Sequence, residues 1–274
     1  MDLTNKIQIV GITDTGLVRQ KNEDSINFDE QSGLIILADG MGGHRGGEVA
    51  SSMAVETISQ HVLDKFPSIK RGQIHPNSGF SFESICLQDS IELANDKIYQ
   101  TAENSPEHKG MGTTIVVLQF YDNKLSLAHI GDSRCYRIRG KNIEQLTKDH
   151  SLLQELIDRG FYTKEEAKYS MNKNLVTRAL GIDPVVSADI QEDIVMKGDV
   201  YLLCSDGLTD LVDDEQIHLT INKFSANLEE AAKQLITKAN QNGGKDNISV
   251  MISQINENFS DSRNWFKQMM TWFD

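Results

Sequence analysis

The sequence lacks the marks of a membrane, secreted or disulfide-bonded protein. No apolar run approaches the roughly 18 residues of a membrane-spanning helix. The first residues contain no basic segment followed by an apolar one, so we expect no secretion signal. The three cysteines, Cys86, Cys135 and Cys204, are odd in number and widely spaced. We therefore predict buried, reduced thiols and a cytoplasmic location.

Positive charge is also scarce. The chain has 27 Lys and Arg residues against 40 Asp and Glu residues, for a net charge of −13. A phosphate backbone requires a basic surface, so we expect no nucleic-acid partner. With 274 residues, of which 39% are hydrophobic, the chain can bury one large core or two small ones.

Strand-like and helix-like segments occur in separate blocks. Helices are predicted from Gly46 to Phe66, around 87–98 and from Leu228 to Gly243, and a loop is predicted at 67–82. Strands are predicted at 5–12, 25–38, 113–120, 124–130, 134–139, 185–204 and 247–255. Because long crossover helices between successive strands are missing, this order favours antiparallel sheets with helices outside. A doubly wound α/β domain is the alternative.

Three aspartates stand beside apolar strand-like runs. Asp39 and Asp206 end such runs and are each followed by glycine, whereas Asp246 opens one. A carboxylate in this setting is costly unless a positive charge meets it, so the three suggest one shared cation site. Oxygen ligands without paired cysteines or histidines favour Mg²⁺ or Mn²⁺. The backbone carbonyl of Gly40 can add a further ligand.

Further acidic residues lie near an arginine in the first 25 residues, and this group has two interpretations. Arg19, Glu23 and Asp24 lie together in VRQKNED, which is either a surface salt bridge or a phosphate-binding arginine beside acids that order metal-bound water. Asp132, in AHIGDSR, is by itself a turn residue.

Other phosphate chemistries lack their motifs. No cysteine has arginine six positions later, since Glu92, Lys141 and Asp210 occupy those places. The chain also contains no G-x-x-x-x-G-K-[ST] loop and no G-x-S-x-G elbow. Water activated by a pair of metal ions is the chemistry that remains.

Eight motifs in order resemble the metal-dependent protein phosphatases of type 2C, and in particular the bacterial serine/threonine phosphatases of that family. The resemblance covers about residues 6–255. The motifs are TDTGLVRQKNEDS, LADGMGGHRGGEVAS, GMGTTIVVL, AHIGDSRCYRI, LTKDHSLL, LVTRALG, LLCSDGLTD and GGKDNISVMI.

The resemblance implies an α+β fold, a four-layer α/β/β/α sandwich of two antiparallel sheets flanked by helices. It implies that two Mn²⁺ or Mg²⁺ ions are bridged by Asp39, with the carbonyl of Gly40 on one ion and Asp206 and Asp246 on the other. Asp132 matches a residue that, with Asp206, holds a weaker third ion. Glu23 and Asp24 match acids that reach the second ion, directly or through water. Arg19 matches the phosphate-binding arginine, so Arg19, Asp39 and Asp206 are the predicted catalytic residues.

The general acid is left open by the sequence. Some relatives place histidine directly after the DG pair, but this chain has Met41 there. His44, three residues further on, is either a substrate contact or a turn histidine. Metal-bound water is the alternative acid.

We divide the chain into a phosphatase domain at 1–257, with a small helical flap at about 147–181, and an amphipathic tail at 258–274. The tail gathers Trp265, Phe266, Met269 and Trp272, and it is either a helix docked on the core or one that binds a partner or a membrane surface.

The predicted function follows from the resemblance and the carboxylates together. We expect a cytoplasmic, monomeric enzyme of signal transduction that hydrolyses phosphoserine and phosphothreonine in proteins and opposes a cellular Ser/Thr kinase. Hydroxide formed from a water that bridges the two ions attacks phosphorus directly, without a phosphoenzyme. The alternatives are a pseudophosphatase that only binds partners, and a phosphatase of small phosphate esters.

Overall fold

The computed structural model describes residues 2–42, 46–163, 166 and 175–260. Within these residues the helices are α1 Gly46–Lys65, α2 Phe82–Asn104, α3 Leu152–Asp158, α4 Asp206–Thr209, α5 Asp214–Lys223 and α6 Leu228–Gln241. The strands are β1 Ile7–Asp14, β2 Asp24–Asp29, β3 Leu34–Met41, β4 Gly112–Thr113, β5 Ile115–Tyr121, β6 Lys124–Ile130, β7 Arg134–Arg139, β8 Asn142–Gln145, β9 Asp189–Ile194, β10 Val200–Cys204 and β11 Ile248–Ile255.

The strands form two sheets. The first sheet has the order β1-β11-β10-β7-β8, and the second has the order β2-β3-β5-β6-β9, with β4 paired to β3. Every strand pair in the described part of the chain is antiparallel. Short hairpin connections, such as that between β5 and β6, make this pairing possible. The predicted α+β class is confirmed, and the doubly wound alternative is wrong.

Alternation along the strands creates three apolar layers. Ile35 and Leu37 of β3 pack between the sheets against residues such as Leu203, whereas Ile36 packs toward α1 and α2. On the other side, the outer face of the first sheet packs against α5 and α6. Because successive side chains of a strand point to opposite faces, one apolar run can fill two layers. This arrangement is the four-layer sandwich that the resemblance implies.

One predicted strand is wrong in its extent. The segment 25–38 is not a single strand, because residues 30–33 turn and join β2 to β3 as a hairpin. Asp29 closes the turn: its carboxylate accepts a hydrogen bond from the Ser32 amide at 2.6 Å, and its carbonyl accepts one from the Gly33 amide at 2.8 Å. Gly33 has a φ of 76°, a conformation that favours glycine. The sequence pattern also does not predict α5.

The predicted flap and tail are described only in part. Ser151 caps α3 by accepting a hydrogen bond from the Gln154 amide, and the Thr177 amide donates to the His150 carbonyl at 2.8 Å. Residues 164, 165 and 167–174 of the flap and 261–274 of the tail lie outside the described residues. Phe259, placed in the tail by sequence, is buried against Phe120. The boundary at 257 stays a prediction.

Helix length and hydropathy bear on membrane insertion. In the described ranges, no helix combines the length and the apolar character that crossing a membrane requires.

Core packing supplies a test of the sandwich. Ile36 is fully buried, whereas Ile194 is 63% exposed. We expect Ile36→Ala to lower the free energy of unfolding by about 2–5 kcal/mol, because it leaves a cavity between β3 and the helices. The matched Ile194→Ala should change it by less than about 0.5 kcal/mol. Denaturant unfolding followed by circular dichroism measures both, and equal effects would contradict this layering.

The cysteines supply a second test. All three are unpaired and buried, and burial raises the pKa of the Cys86 thiol to about 11 and that of Cys135 and Cys204 further. A thiol with a raised pKa stays protonated and unreactive at pH 8. We therefore expect iodoacetamide to modify none of them in the native protein and all three in urea, as counted by mass spectrometry. Rapid native labelling of Cys204 would instead support a redox role.

Candidate metal and phosphate site

Asp39 is fixed through its backbone near the end of β3. Its carbonyl accepts hydrogen bonds from the Thr114 amide and the Thr113 hydroxyl, both at 2.8 Å. Its amide donates to the Thr114 hydroxyl at 3.1 Å. Both threonines begin the strand that the sequence predicts at 113–120, and their hydroxyls hold the aspartate in place. Because the backbone holds Asp39 in place, its carboxylate can serve a ligand.

Asp24 pairs with Asp39 across the β2–β3 hairpin. One carboxylate oxygen accepts hydrogen bonds from the Ser205 hydroxyl at 2.9 Å and the Ser249 hydroxyl at 2.6 Å. The other oxygen, Oδ1, is buried without a hydrogen-bond partner. A buried carboxylate oxygen in that state is costly, so it marks a place where a positively charged ligand would be stabilised.

Asp206 is the first residue of α4, separated from β10 by Ser205 alone. Together with Asp39 it lies among like charges. Burial raises the pKa of Asp39 well above its usual value, and the charges of Asp24, Asp206, Asp132 and Asp246 raise it further. Burial and the charges of Asp132, Asp210, Asp246 and Asp24 do the same for Asp206. Residues far apart in sequence therefore share one strongly negative region.

The surrounding acids are perturbed in the same direction. Burial raises the pKa of Asp24 and of Asp132 to about 6, and it also raises the pKa of Glu23. The two serine hydroxyls on Asp24 and the nearby Arg134 on Asp132 oppose this effect. Burial without full charge compensation is typical of functional sites.

Arg19 is a second arginine beside this cluster, at Asp246. Its Nη2 donates to the Asp246 carboxylate at 2.7 Å. That hydrogen bond raises the pKa of Arg19, and the charges of Asp246, Glu23 and Asp206 add to the effect. The arginine side chain is 52% exposed. It can therefore keep one edge on Asp246 and offer the other to a ligand.

The donor set fits divalent cations. Asp24, Asp39, Asp132, Asp206 and Asp246 provide only oxygen donors, which are the ligands of Mg²⁺ and Mn²⁺. The unpartnered oxygen of Asp24 and the mutual repulsion of Asp39 and Asp206 are both relieved by added positive charge. We conclude that these residues suit a site for more than one divalent ion.

A second cluster lies elsewhere. His129, His150 and Asp189 bring one ligand atom each within 4.8 Å of one another. However, Arg178 Nη1 lies 2.9 Å from His150 Nε2, and Arg178 also donates to Asp189 at 2.8 Å. A guanidinium in this position opposes a metal cation. The imidazole of His150 instead accepts a hydrogen bond from the Gly131 amide at 3.0 Å.

The structure brings most of the predicted residues together. They are Arg19, Glu23, Asp24, Asp39, Gly40, Asp132, Asp206 and Asp246. His44 lies outside the described residues. The sequence pattern does not single out the supporting groups Thr114, Ser205 and Ser249. It also does not single out Asn247, whose side-chain oxygen accepts a hydrogen bond from the Glu23 amide at 2.8 Å. Position beside a predicted ligand is the one sequence signal that could have found Ser205 and Asn247.

A family comparison decides the class of the chain. The family model described as Protein phosphatase 2C matches residues 16–242. The chain belongs to the protein phosphatase 2C family. The resemblance inferred from the motifs is thereby confirmed, and the named relatives extend it to the bacterial serine/threonine branch.

Relatives of this phosphatase 2C chain agree over nearly its whole length. The serine/threonine phosphatase stp of Listeria innocua is 38% identical, over 89% of this chain and 94% of the relative. The protein phosphatase PhpP of Streptococcus pneumoniae is 36% identical, over 92% and 98%. A solved structure is also similar: the crystal structure of the catalytic domain of serine/threonine protein phosphatase PstP in complex with two manganese ions. Its sequence is 35% identical, the TM-score is 0.79, and the match covers 92% of this chain and 99% of that one.

Like-charge repulsion in the metal-free protein can be tested by removing one charge. We expect Asp39→Asn to raise the melting temperature of the chelator-treated protein by about 2–4 °C, the effect of about 1 kcal/mol in a chain of this size. We also expect Mn²⁺ to raise the melting temperature of the wild type but not of the variant. Differential scanning fluorimetry measures both.

The matched control is Asp64→Asn, at an exposed position on α1. It should leave both the metal-free melting temperature and the Mn²⁺ response unchanged. A lower metal-free melting temperature for Asp39→Asn, or a full Mn²⁺ response, would show that Asp39 does not lie in a repulsive metal site.

Proposed function

We propose that this protein hydrolyses phosphoserine and phosphothreonine in proteins with the help of two divalent ions, Mn²⁺ or Mg²⁺. The observation that carries the proposal is the convergence of five aspartates around Arg19, in a chain of the protein phosphatase 2C family. The reaction adds water across the P–O bond of the phosphoester. It releases inorganic phosphate and the free hydroxyl of serine or threonine.

The acidic residues of the site would hold the ions. Asp39 would contribute to both principal ions, with the Gly40 carbonyl on one ion and Asp206 and Asp246 on the other. Glu23 and Asp24 would reach the second ion directly or through water. Asp132 with Asp206 would hold a weaker third ion. When bound, the ions lower the pKa of water and neutralise charge on the phosphoryl group.

The chain itself orients the phosphoryl group. The Arg19 guanidinium donates to phosphoryl oxygens and stabilises the charge that develops on them. Asp246 holds one nitrogen of that guanidinium at 2.7 Å, so less conformational entropy is lost when phosphate binds. His44 remains the candidate substrate contact, and the residue that protonates the leaving alkoxide is not assigned.

The cellular setting is part of the proposal. Phosphoprotein substrates imply a Ser/Thr kinase that this enzyme opposes in signal transduction. Three unpaired buried cysteines support a reducing, cytoplasmic compartment. The net charge of −13 supports protein rather than nucleic-acid partners. We infer that the enzyme acts as a monomer.

The direct test is phosphate release from a phosphothreonine peptide, with Mn²⁺ and then with chelator. We expect release with Mn²⁺ and none with chelator, and a loss of about 100-fold or more for Asp206→Ala. Asp64→Ala is the surface control and should retain full activity. An inactive wild type that still shows Mn²⁺-dependent stabilisation would favour a pseudophosphatase. Faster turnover of small aryl phosphates than of the peptide would favour a small-ester phosphatase.

A further inference from the structure

Asn247 is a buried asparagine between Asp246 and β11. It is 5% exposed, and each polar atom of its amide is used. Nδ2 donates to the carbonyls of Thr15 at 3.0 Å and Lys21 at 2.8 Å. Oδ1 accepts from the Glu23 amide at 2.8 Å. One side chain therefore binds both ends of the loop at 15–23.

This loop carries Arg19. Two further hydrogen bonds tie it to the same neighbouring segment: the amides of Leu17 and Val18 donate to the Gly244 carbonyl at 2.8 and 3.2 Å. Gly16 lies so close to the segment that an added Cβ would stand 2.2 Å from the Asp246 carbonyl oxygen. Because the Arg19 side chain is largely exposed, its position depends on the backbone of this loop and on Asp246.

The three contacts define what the residue must be. Two carbonyl oxygens require donors and one amide requires an acceptor, and a carboxamide supplies all three from one planar group. Aspartate has the same shape but no donor, so its charge would face two carbonyl oxygens. In the native protein, Oδ1 of Asn247 accepts the hydrogen bond from the Glu23 amide, so it is not free to bind a metal ion.

We propose that Asn247 is a positioning residue for phosphate binding. It fixes the loop at 15–23 so that Arg19 stands beside Asp246, and it acts on the phosphoryl group only through Arg19. The proposal rests on the proposed phosphatase activity. It assigns to the asparagine of the KDN sequence a role in substrate affinity, which is distinct from ligation by the preceding aspartate.

Steady-state kinetics on a phosphothreonine peptide at saturating Mn²⁺ provides the main test. We expect Asn247→Ala and Asn247→Asp each to raise KM by about 10-fold or more, the effect of losing buried hydrogen bonds, with a smaller change in kcat. In the Arg19→Ala background the same changes should raise KM by less than about twofold. Independent, multiplying effects of the two sites would overturn the proposal, as would an unchanged KM in a folded variant.

Asn95→Ala is the matched control. Asn95 is also a buried amide that joins a distant loop, since its Nδ2 donates to the Asp183 carbonyl at 3.0 Å and its Oδ1 accepts from the Gly181 amide at 2.7 Å. The effects of Asn95→Ala and Arg19→Ala on any kinetic constant should be independent, so that the double variant shows the product of the two single effects. Coupling of Asn95 to Arg19 as strong as that of Asn247 would show that general loosening of the fold explains the result.

Hydrogen exchange separates this proposal from the proposed activity. In the wild type the Glu23 amide should exchange slowly, and Asn247→Ser should speed exchange across 15–23 while leaving β11 protected. Asn247→Ser is the mildest variant and is used if the other two fail to fold. Fast exchange of Glu23 in the wild type overturns the positioning role whether or not the protein is active. An inactive wild type with a protected loop would overturn the proposed function alone.

Discussion

Repulsion among buried carboxylates is the constraint around which the site is built. Asp39 and Asp206 each lie among several other aspartates, and burial denies them the solvation that would otherwise reduce the cost. The chain offers partial relief, through serine hydroxyls on Asp24 and Arg19 on Asp246. Arg19 also interacts with Asp206, yet burial and the neighbouring acids still raise the pKa of Asp39 and Asp206 well above its usual value. A fold that keeps these two in place loses stability in the metal-free state, a cost that bound cations would relieve.

The sandwich can hold the acids together against their repulsion because they lie on or beside paired strands of both sheets. Asp39 lies near the end of β3, which is bonded to β2 and β5 on its two sides. Asp206 follows β10, which is bonded to β11 and β7. The layer between the sheets is filled by fully buried residues such as Leu37 and Leu203. Dense packing resists the small displacements by which repelled carboxylates would move apart.

The sequence predicted the parts of the molecule that depend on local pattern. Apolar runs ending in Asp-Gly located β3 and β10, and ordered motifs located the acids around Asp39. The hairpin inside 25–38 was missed although residues 30–33, Glu-Gln-Ser-Gly, are polar and typical of a turn. The roles of Ser205, Ser249 and Asn247 were also missed, because their partners lie 181, 225 and 224 residues away along the chain. Contacts of that range leave no periodicity in a single sequence.

In each of the two Asp-Gly pairs, the glycine and the aspartate have different roles. A Cβ on Gly40 would stand 2.1 Å from the Gly47 carbonyl oxygen, and one on Gly207 would stand 1.9 Å from that of Asn247. Both glycines are therefore required by chain packing, whether or not an ion is bound. A relative that had lost catalysis would still need them to fold, whereas Asp39 and Asp206 only add repulsion to the metal-free fold. The carboxylates, and not the glycines that make the motif recognisable, are the residues that argue for an enzyme.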